Sequence, residues 1–309
     1  MKLLYIAILV TIVIFSYGFI DPNFPYQPNP QYFAYLHRER TVTTIVYIFL
    51  LSSLFACYTR LLSRLKLSEI WQYIRITVII LFFSYPAFSS DIFNYIATAK
   101  VTYFYKENPY VVMPIEFPSE PMLSYLHAGN KVALYGPSWI VLTVLPHYLG
   151  FGNIIATMIM TKILVVVFYL WLVRQIEHLS NGSTWSVAFF ALNPLVVMET
   201  LVAVHQDVVM MALALYSFIL LKKRRVLASL LFLTFSICIK GATLFLVPVY
   251  IVALFFKIKN VWFWCALSMV AIFLLSPLRE EMYPWYFIWV ITFVSMLPRD
   301  SFLVFIDDF

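Results

Sequence analysis

The sequence predicts an all-α protein, a polytopic bundle of about 10 transmembrane helices with a long outer loop carrying amphipathic and interfacial helices. Three observations predict it. The 309-residue chain is 63% hydrophobic and only 12% charged, and its mean hydropathy of +0.88 lies far from that of a soluble domain. Its apolar runs approach membrane length, about 17–25 residues each. Short gaps between those runs hold clusters of basic residues.

Taken in order, spans fall near 3–20, 42–59, 70–88, 153–173, 185–201, 207–221, 226–239, 242–256, 260–277 and 284–298. Several are short, so their boundaries are soft. The clusters Arg60/Arg64/Lys66, Lys222-Lys223-Arg224-Arg225 and Lys257/Lys259 each occupy a gap, and the positive-inside rule assigns such gaps to the cytoplasm. Strict alternation from a cytoplasmic Lys2 gives the same side for all three and for Arg174. It leaves 21–41, 89–152, 202–206, the Lys240 turn and 279–283 outside. The chain thus reads as a single integral membrane domain over 1–309, multi-pass with a cytoplasmic N-terminus, and 89–152 as its extracytoplasmic loop. The first span has an alternative reading as a signal peptide, because Ser16-Tyr17-Gly18 is a small-x-small site.

The loop is where the polar residues concentrate. Ser89-Ser90-Asp91 has the side chains of a helix start. The run DIFNYIATAKVTYFYKE continues as an aromatic-rich amphipathic helix that stops before Asn108-Pro109, since the residue preceding proline avoids helical geometry. YGPSWIVLTVLPHYLG then offers a short helix from Ser138, broken near Pro146 and Gly150, suited to the membrane interface.

Several function classes drop out. Cys57, Cys238 and Cys265 lie in apolar stretches with no CxxC or Cys/His spacing, so neither a disulfide framework nor a zinc site is indicated. No GxGxxG or P-loop occurs, which argues against a soluble-type nucleotide pocket. The net charge of +6 is dispersed through membrane gaps, whereas a nucleic-acid partner requires a basic face. No internal repeat is present.

Charged side chains at bilayer depth cost roughly 2.5–3.5 kcal/mol each and persist mainly where a cavity or a partner receives them. Asp91 lies just past an apolar span. It reads equally as a general base for a hydroxyl and as a helix cap. His205 and Asp207 lie between two apolar runs, with Glu199 near the outer end of the span before them, where the three can position a substrate, relay a proton or bind a divalent metal. The bland reading makes Asp207 a cap and leaves His205 solvated. Lys240 interrupts an apolar run, as a phosphate-binding cation or a snorkelling turn lysine. Arg279 opens another outer turn, and Trp285, Tyr286 and Trp289 after it suit an interfacial aromatic belt.

The blocks SSDIFNYIATAKVTYFYKENPY, YGPSW, NPLVVMETLVAVHQDVVMMALAL, CIKGATLFLVP and YPWYFIW follow one another between Phe83 and Trp289. In order and shared outer location they resemble the GT-C superfamily of polytopic glycosyltransferases, and within it the prokaryotic polyprenyl-phosphate-mannose-dependent α-mannosyltransferase-like branch. The resemblance implies that Asp91 is the catalytic base. It implies that His205 and Asp207 fill a His-x-Asp segment, with Gln206 in place of a commoner Asn, and that Lys240 meets the donor phosphate. Arg279 becomes a second candidate cation, Glu199 a binding carboxylate, and Tyr95 an aromatic of the outer helix suited to a sugar face.

The implied partners are a polyprenyl-phosphate sugar donor, a lipid, glycan or protein acceptor and membrane lipids, at the cell membrane. No cofactor is implied. The acidic doublet found in some relatives is absent, which weakens a metal, and the chain ends soon after YPWYFIW where relatives continue through further helices. One base with in-line displacement predicts inversion at the sugar carbon, because retention through a covalent intermediate needs a second, nucleophilic carboxylate. A rival reading is a transporter or flippase, whose signature is broken helices with midplane charges. Asn193-Pro194 with Glu199 fits that signature, but there is no repeated half and the ionisable residues gather on one side. A third reading is a structural subunit of an envelope complex.

Overall fold

The computed structural model describes residues 1–62, 66–278 and 281–297. Among these residues every regular element is helical. The α-helices are α1 (Lys2–Ser16), α2 (Pro30–Arg38), α3 (Arg40–Leu62), α4 (Leu67–Phe82), α5 (Asp91–Tyr103), α6 (Pro137–Leu142), α7 (Val144–Leu149) and α8 (Ile154–Leu179). They continue with α9 (Thr184–Ala191), α10 (Pro194–Val197), α11 (Asp207–Lys222), α12 (Val226–Ile237), α13 (Val247–Phe255), α14 (Val261–Leu275) and α15 (Phe287–Val294). A π-helical turn over Met198–Val202 follows α10 directly.

Among the described residues four stretches are long and apolar enough to cross a membrane: Lys2–Phe19, Arg40–Leu62, Ile154–Leu179 and Val261–Leu278. Thr184–Ala191 with Pro194–Val202, bent by 48° at the Asn193-Pro194 break, makes a fifth if counted as one span. These stretches turn apolar side chains outward, such as Phe49 on α3, Val167 on α8 and Leu274 on α14. Such a surface suits lipid and not water. The sequence count of about ten spans is not confirmed. Helices α4 and α11 have 16 residues each and α12 has 12, which makes them about 18–24 Å long against a hydrocarbon core of about 30 Å.

The chain forms two compact units. One comprises Met1–Tyr58, Arg75–Val166 and Val197–His205; the other comprises Thr59–Ile74, Val167–Val196 and the chain from Gln206.

In the first unit the C-terminal end of α4 is fixed by side chains from three directions. The Tyr17 hydroxyl donates to the Phe83 carbonyl at 2.8 Å, and Ser16 Oγ accepts from the Tyr85 N–H at 2.9 Å. Lys162 of α8, only 4% exposed, donates to the carbonyls of Ser84 (2.5 Å) and Leu81 (3.3 Å) and to Ser84 Oγ (3.2 Å). An amine donor on the free carbonyls of a helix C-terminus satisfies their unpaired acceptors. That anchored turn leads straight into α5.

Helix α5 departs from the amphipathic expectation. It stops at Tyr103 instead of running to Glu107, and Ile92 through Ala99, with Val101, are buried. The reason is that α6, α7 and the turn at Pro114–Glu116 pack around it. Its end is set by Lys106 in left-handed backbone (φ 61°), three residues before Pro109. The loop beyond is tied back by the nearly buried Glu120, which meets Lys100 Nζ at 2.6 Å and the Tyr105 hydroxyl at 2.9 Å.

Helix α6 begins with Pro137 at its first position, where a missing N–H costs nothing. The break comes at Thr143, because Pro146 has no N–H for the Leu142 carbonyl and its ring clashes there. Gly150 closes α7 against α8. A β-carbon at Gly150 would sit 2.8 Å from Thr157 Cα, so only glycine allows that approach.

The second unit is organised on α11, buried along nearly its whole length. Small hydroxyls join it to its neighbours. Ser229 Oγ donates to the Ser217 carbonyl (2.6 Å), Ser236 Oγ donates to the Met210 carbonyl (2.8 Å), and the Tyr250 hydroxyl is 2.8 Å from Ser229 Oγ. Such bonds hold helices together where lipid removes the hydrophobic drive.

Candidate active site

The first unit places Asp91 at the first position of α5. Ser90 takes the cap position without a side-chain bond, and the Asp91 N–H donates to Ser89 Oγ at 3.1 Å. The carboxylate is therefore not the helix cap and points elsewhere. Its Oδ1 lies 3.3 Å from the Tyr135 hydroxyl, which donates to it, and its Oδ2 lies 3.3 Å from His205 Nδ1.

His205 arrives by an unusual backbone route. The π-turn that carries Glu199 closes with the Ala203 N–H on the Met198 carbonyl, and the His205 N–H donates to the Glu199 carbonyl at 2.9 Å. Between them Val204 is left-handed, with φ 65°, a region that β-branched residues almost never occupy. Strain of this kind costs on the order of 1–3 kcal/mol and persists only where the surroundings enforce it. It carries the imidazole between two acids: His205 Nε2 lies 3.2 Å from Glu199 Oε2, opposite its contact with Asp91.

The electrostatics follow from this arrangement. Burial alone favours the neutral ring, since His205 is 1% exposed, but Asp91 and Glu199 outweigh it and raise His205 to about 9. At neutral pH the ring is an imidazolium set between two acids. Burial and the adjacent Asp91 hold the Tyr135 phenol well above its ordinary range, so it remains a hydrogen-bond donor. Asp91 is the most open of the three acidic and basic groups, with its side chain 27% exposed against 14% for Glu199. The two acids contact opposite nitrogens of one ring, so the three side chains do not converge on a point. Among the described residues no group of three or more His, Cys, Asp or Glu is arranged to hold a metal.

Tyr95 is one turn along α5 from Asp91. It is 1% exposed and stands edge-on to Tyr135 at 4.6 Å and to Trp139 at 4.9 Å. It backs the tyrosine that reaches Asp91.

The second unit holds a different cluster. Asp207, 1% exposed and first in α11, accepts from Trp289 Nε1 at 2.6 Å and lies 3.4 Å from Lys240 Nζ through the same Oδ1. The Lys240 ammonium sits over the rings of Tyr286 (4.2 Å) and Trp289 (5.1 Å), which are themselves stacked 4.2 Å apart. An aromatic face and a carboxylate both attract an ammonium, and the Lys240 side chain keeps 25% exposure. Lys240 is thus a held cation with an open side.

Several sequence expectations change here. His205 is buried and not solvated, and it joins Glu199 to Asp91 while Asp207 belongs to another cluster. Tyr286 and Trp289 are 1% and 2% exposed, so they are not part of an interfacial belt; their rings are drawn inward by Lys240 and Asp207. Arg279 lies outside the described residues. Nothing in the sequence marks Tyr135 as an Asp91 partner, although it opens the YGPSW block. Nor does anything mark Trp289 as a donor to Asp207. Both contacts join residues distant along the chain.

A helical chain with membrane-length apolar stretches that turn their side chains outward is an integral membrane protein. Residues 4–256 match the family described as "Alpha-(1->6)-mannopyranosyltransferase, N-terminal domain". The chain belongs to that family and is a membrane mannosyltransferase of the GT-C type. The match spans Asp91, Tyr135, Glu199, His205, Asp207 and Lys240 and stops short of Tyr286 and Trp289. The chain matches no curated protein and no solved structure.

Proposed function

We propose that the protein transfers a mannosyl group from a polyprenyl-phosphate donor to a primary hydroxyl, O6 of a mannoside on a lipid or glycan, at the outer membrane face. The observation that carries this reading is Asp91: a partly open carboxylate held on one oxygen by Tyr135 and on the other by His205. In the reaction Asp91 takes the proton from the acceptor hydroxyl as its oxygen attacks the sugar C1. The C1–O bond breaks with its electron pair leaving on the phosphate, so no general acid is needed. His205 and Tyr135 orient the base. Glu199 acts through His205.

Lys240 is the cation we assign to the departing phosphate, since a positioned ammonium stabilises developing negative charge. Displacement by a single base inverts the anomeric carbon. The family's α-(1→6) product then requires a β-linked donor. The outer location rests on the distribution of Lys and Arg among the gaps.

The test is mannosyl transfer in liposomes from radiolabelled polyprenyl-phosphate mannose to an α-mannoside acceptor. Transfer is expected from the β anomer and not from the α anomer, and it is abolished in Asp91→Asn while that variant still folds, melting about 3 °C lower because His205 loses one of its two acids. Undiminished turnover in Asp91→Asn removes Asp91 as the base, and transfer from the α anomer alone removes the single displacement.

A further inference from the structure

Helix α11 carries Asp207 at its start and Lys222 at its end, about 22 Å apart along the axis. At the Lys222 end the second unit holds a cavity of about 650 Å³, bounded by the ends of α11 and α13 and the start of α14. Phe218, Leu221 and Trp262 form apolar and aromatic wall, and Lys222, Arg224 and Lys257 line the same cavity; no carboxylate does. All three cations are exposed, and none has an acidic partner among the described residues. Arg224 also has φ 60°, a left-handed position just past a helix end that glycine or asparagine ordinarily fills. The chain accepts an unfavourable backbone there and keeps a guanidinium at the cavity.

An apolar hollow with three uncompensated cations is complementary to a molecule with a hydrocarbon body and an anionic head. Basic pockets between membrane helices bind phosphate-bearing lipid headgroups in this way. We propose that this cavity is a binding site for an anionic phospholipid of the surrounding bilayer, its phosphate on Lys222, Arg224 and Lys257 and its upper chains against Phe218 and Trp262. The sequence places both basic gaps on the cytoplasmic side, where the leaflet is richest in anionic lipid. The site lies at the far end of α11 from Asp207 and Lys240, and the proposal is independent of the donor assigned above.

The experiment uses the full chain, delipidated in neutral detergent and titrated with dioleoyl phosphatidylglycerol, dioleoyl phosphatidylcholine, inorganic phosphate or polyprenyl phosphate. Thermal stability and native mass spectrometry report binding. Phosphatidylglycerol is expected to remain bound and raise the melting temperature, and phosphatidylcholine is not. The triple variant Lys222→Gln/Arg224→Asn/Lys257→Gln, in which Asn suits the left-handed backbone, should bind phosphatidylglycerol about tenfold more weakly or worse. Its lipid-free melting temperature should be unchanged.

Equal retention of the two phospholipids overturns the proposal, as does a variant that binds normally. Inorganic phosphate giving the full shift reduces the site to a free-anion site, and polyprenyl phosphate displacing phosphatidylglycerol makes it a donor site; either result also overturns it. If the variant fails to fold, the wild type decides. Its preference for phosphatidylglycerol must weaken as salt screens the cations, and a salt-independent preference refutes the assignment.

Discussion

Replacing Glu199 by Gln tests the charge state of the buried His205 directly. His205 ordinarily titrates at 6.5 and is raised here to about 9. At about 1.4 kcal/mol per unit, that net rise, the pull of the two acids less the cost of burial, is worth on the order of 3 kcal/mol to the folded state. The sign follows from linkage. A group raised by folding stabilises fully below its unfolded value and loses that stabilisation as pH climbs through its folded value. The wild type should therefore melt highest near pH 6.5 and lose roughly 6 °C by pH 9.5, taking about 2 °C per kcal/mol for a chain of this size.

Glu199→Gln keeps the shape and removes one of the two charges facing the ring. The slope between pH 6.5 and 9.5 should fall by about half. The Tyr135 phenol, held far above its normal range, stays silent in that window. The assay is thermal unfolding in detergent at half-unit pH steps for both proteins. A wild type whose melting temperature rises across the window refutes the reasoning. So does a variant with an unchanged slope.

Three further outcomes follow from the same geometry. Tyr135→Phe removes the donor to Asp91 Oδ1 and should lower kcat about tenfold, the worth of one hydrogen bond to a charge, with KM for the acceptor unchanged in steady-state transfer assays. Lys162→Met strips the buried donor from the carbonyls of Leu81 and Ser84 and should destabilise by about 3 kcal/mol, read as a drop in melting temperature. Trp289→Phe removes the 2.6 Å bond to buried Asp207; it should cost about 1.5–3 kcal/mol of stability and lower kcat more than it raises KM for the donor, because the ammonium that meets the departing phosphate is less firmly placed.

How much of this is legible in the sequence depends on the range of the interaction. The helical class, the Asn193-Pro194 break and the short pieces α6 and α7 follow from composition and proline geometry, which act within a few residues. The number of spans does not, because hydropathy reports that a run is apolar without reporting where its helix begins and ends; α12 is only 12 residues inside a longer apolar run. The face of α5 is equally hidden. Its alternating polar and aromatic residues read as amphipathic, yet α6, α7 and the Pro114–Glu116 turn pack on it, and Phe24 and Tyr85 cover Phe93.

The candidate residues were recognisable by type and their grouping was not, and the reason is specific. Glu199, His205 and Asp207 are close in sequence and read as one group. A π-turn at 198–202 and a left-handed Val204 rotate that short stretch so that His205 meets Glu199 and Asp91, while Asp207 starts a new helix and takes Trp289 and Lys240. No propensity scale assigns left-handed backbone to valine, so the feature that forms the trio is the one a sequence reading misses. That points to its purpose. Backbone strain of on the order of 1–3 kcal/mol is comparable to the stabilisation that His205 draws from its two acids. The ion pairs can thus hold Val204 in place while the imidazolium is charged, and deprotonation above pH 9 should loosen the turn along with the charge. Steeper melting losses than the titration of one histidine allows, confined to that pH range and removed by Val204→Gly, would reveal this coupling; a loss unaffected by Val204→Gly would separate the strain from the charge.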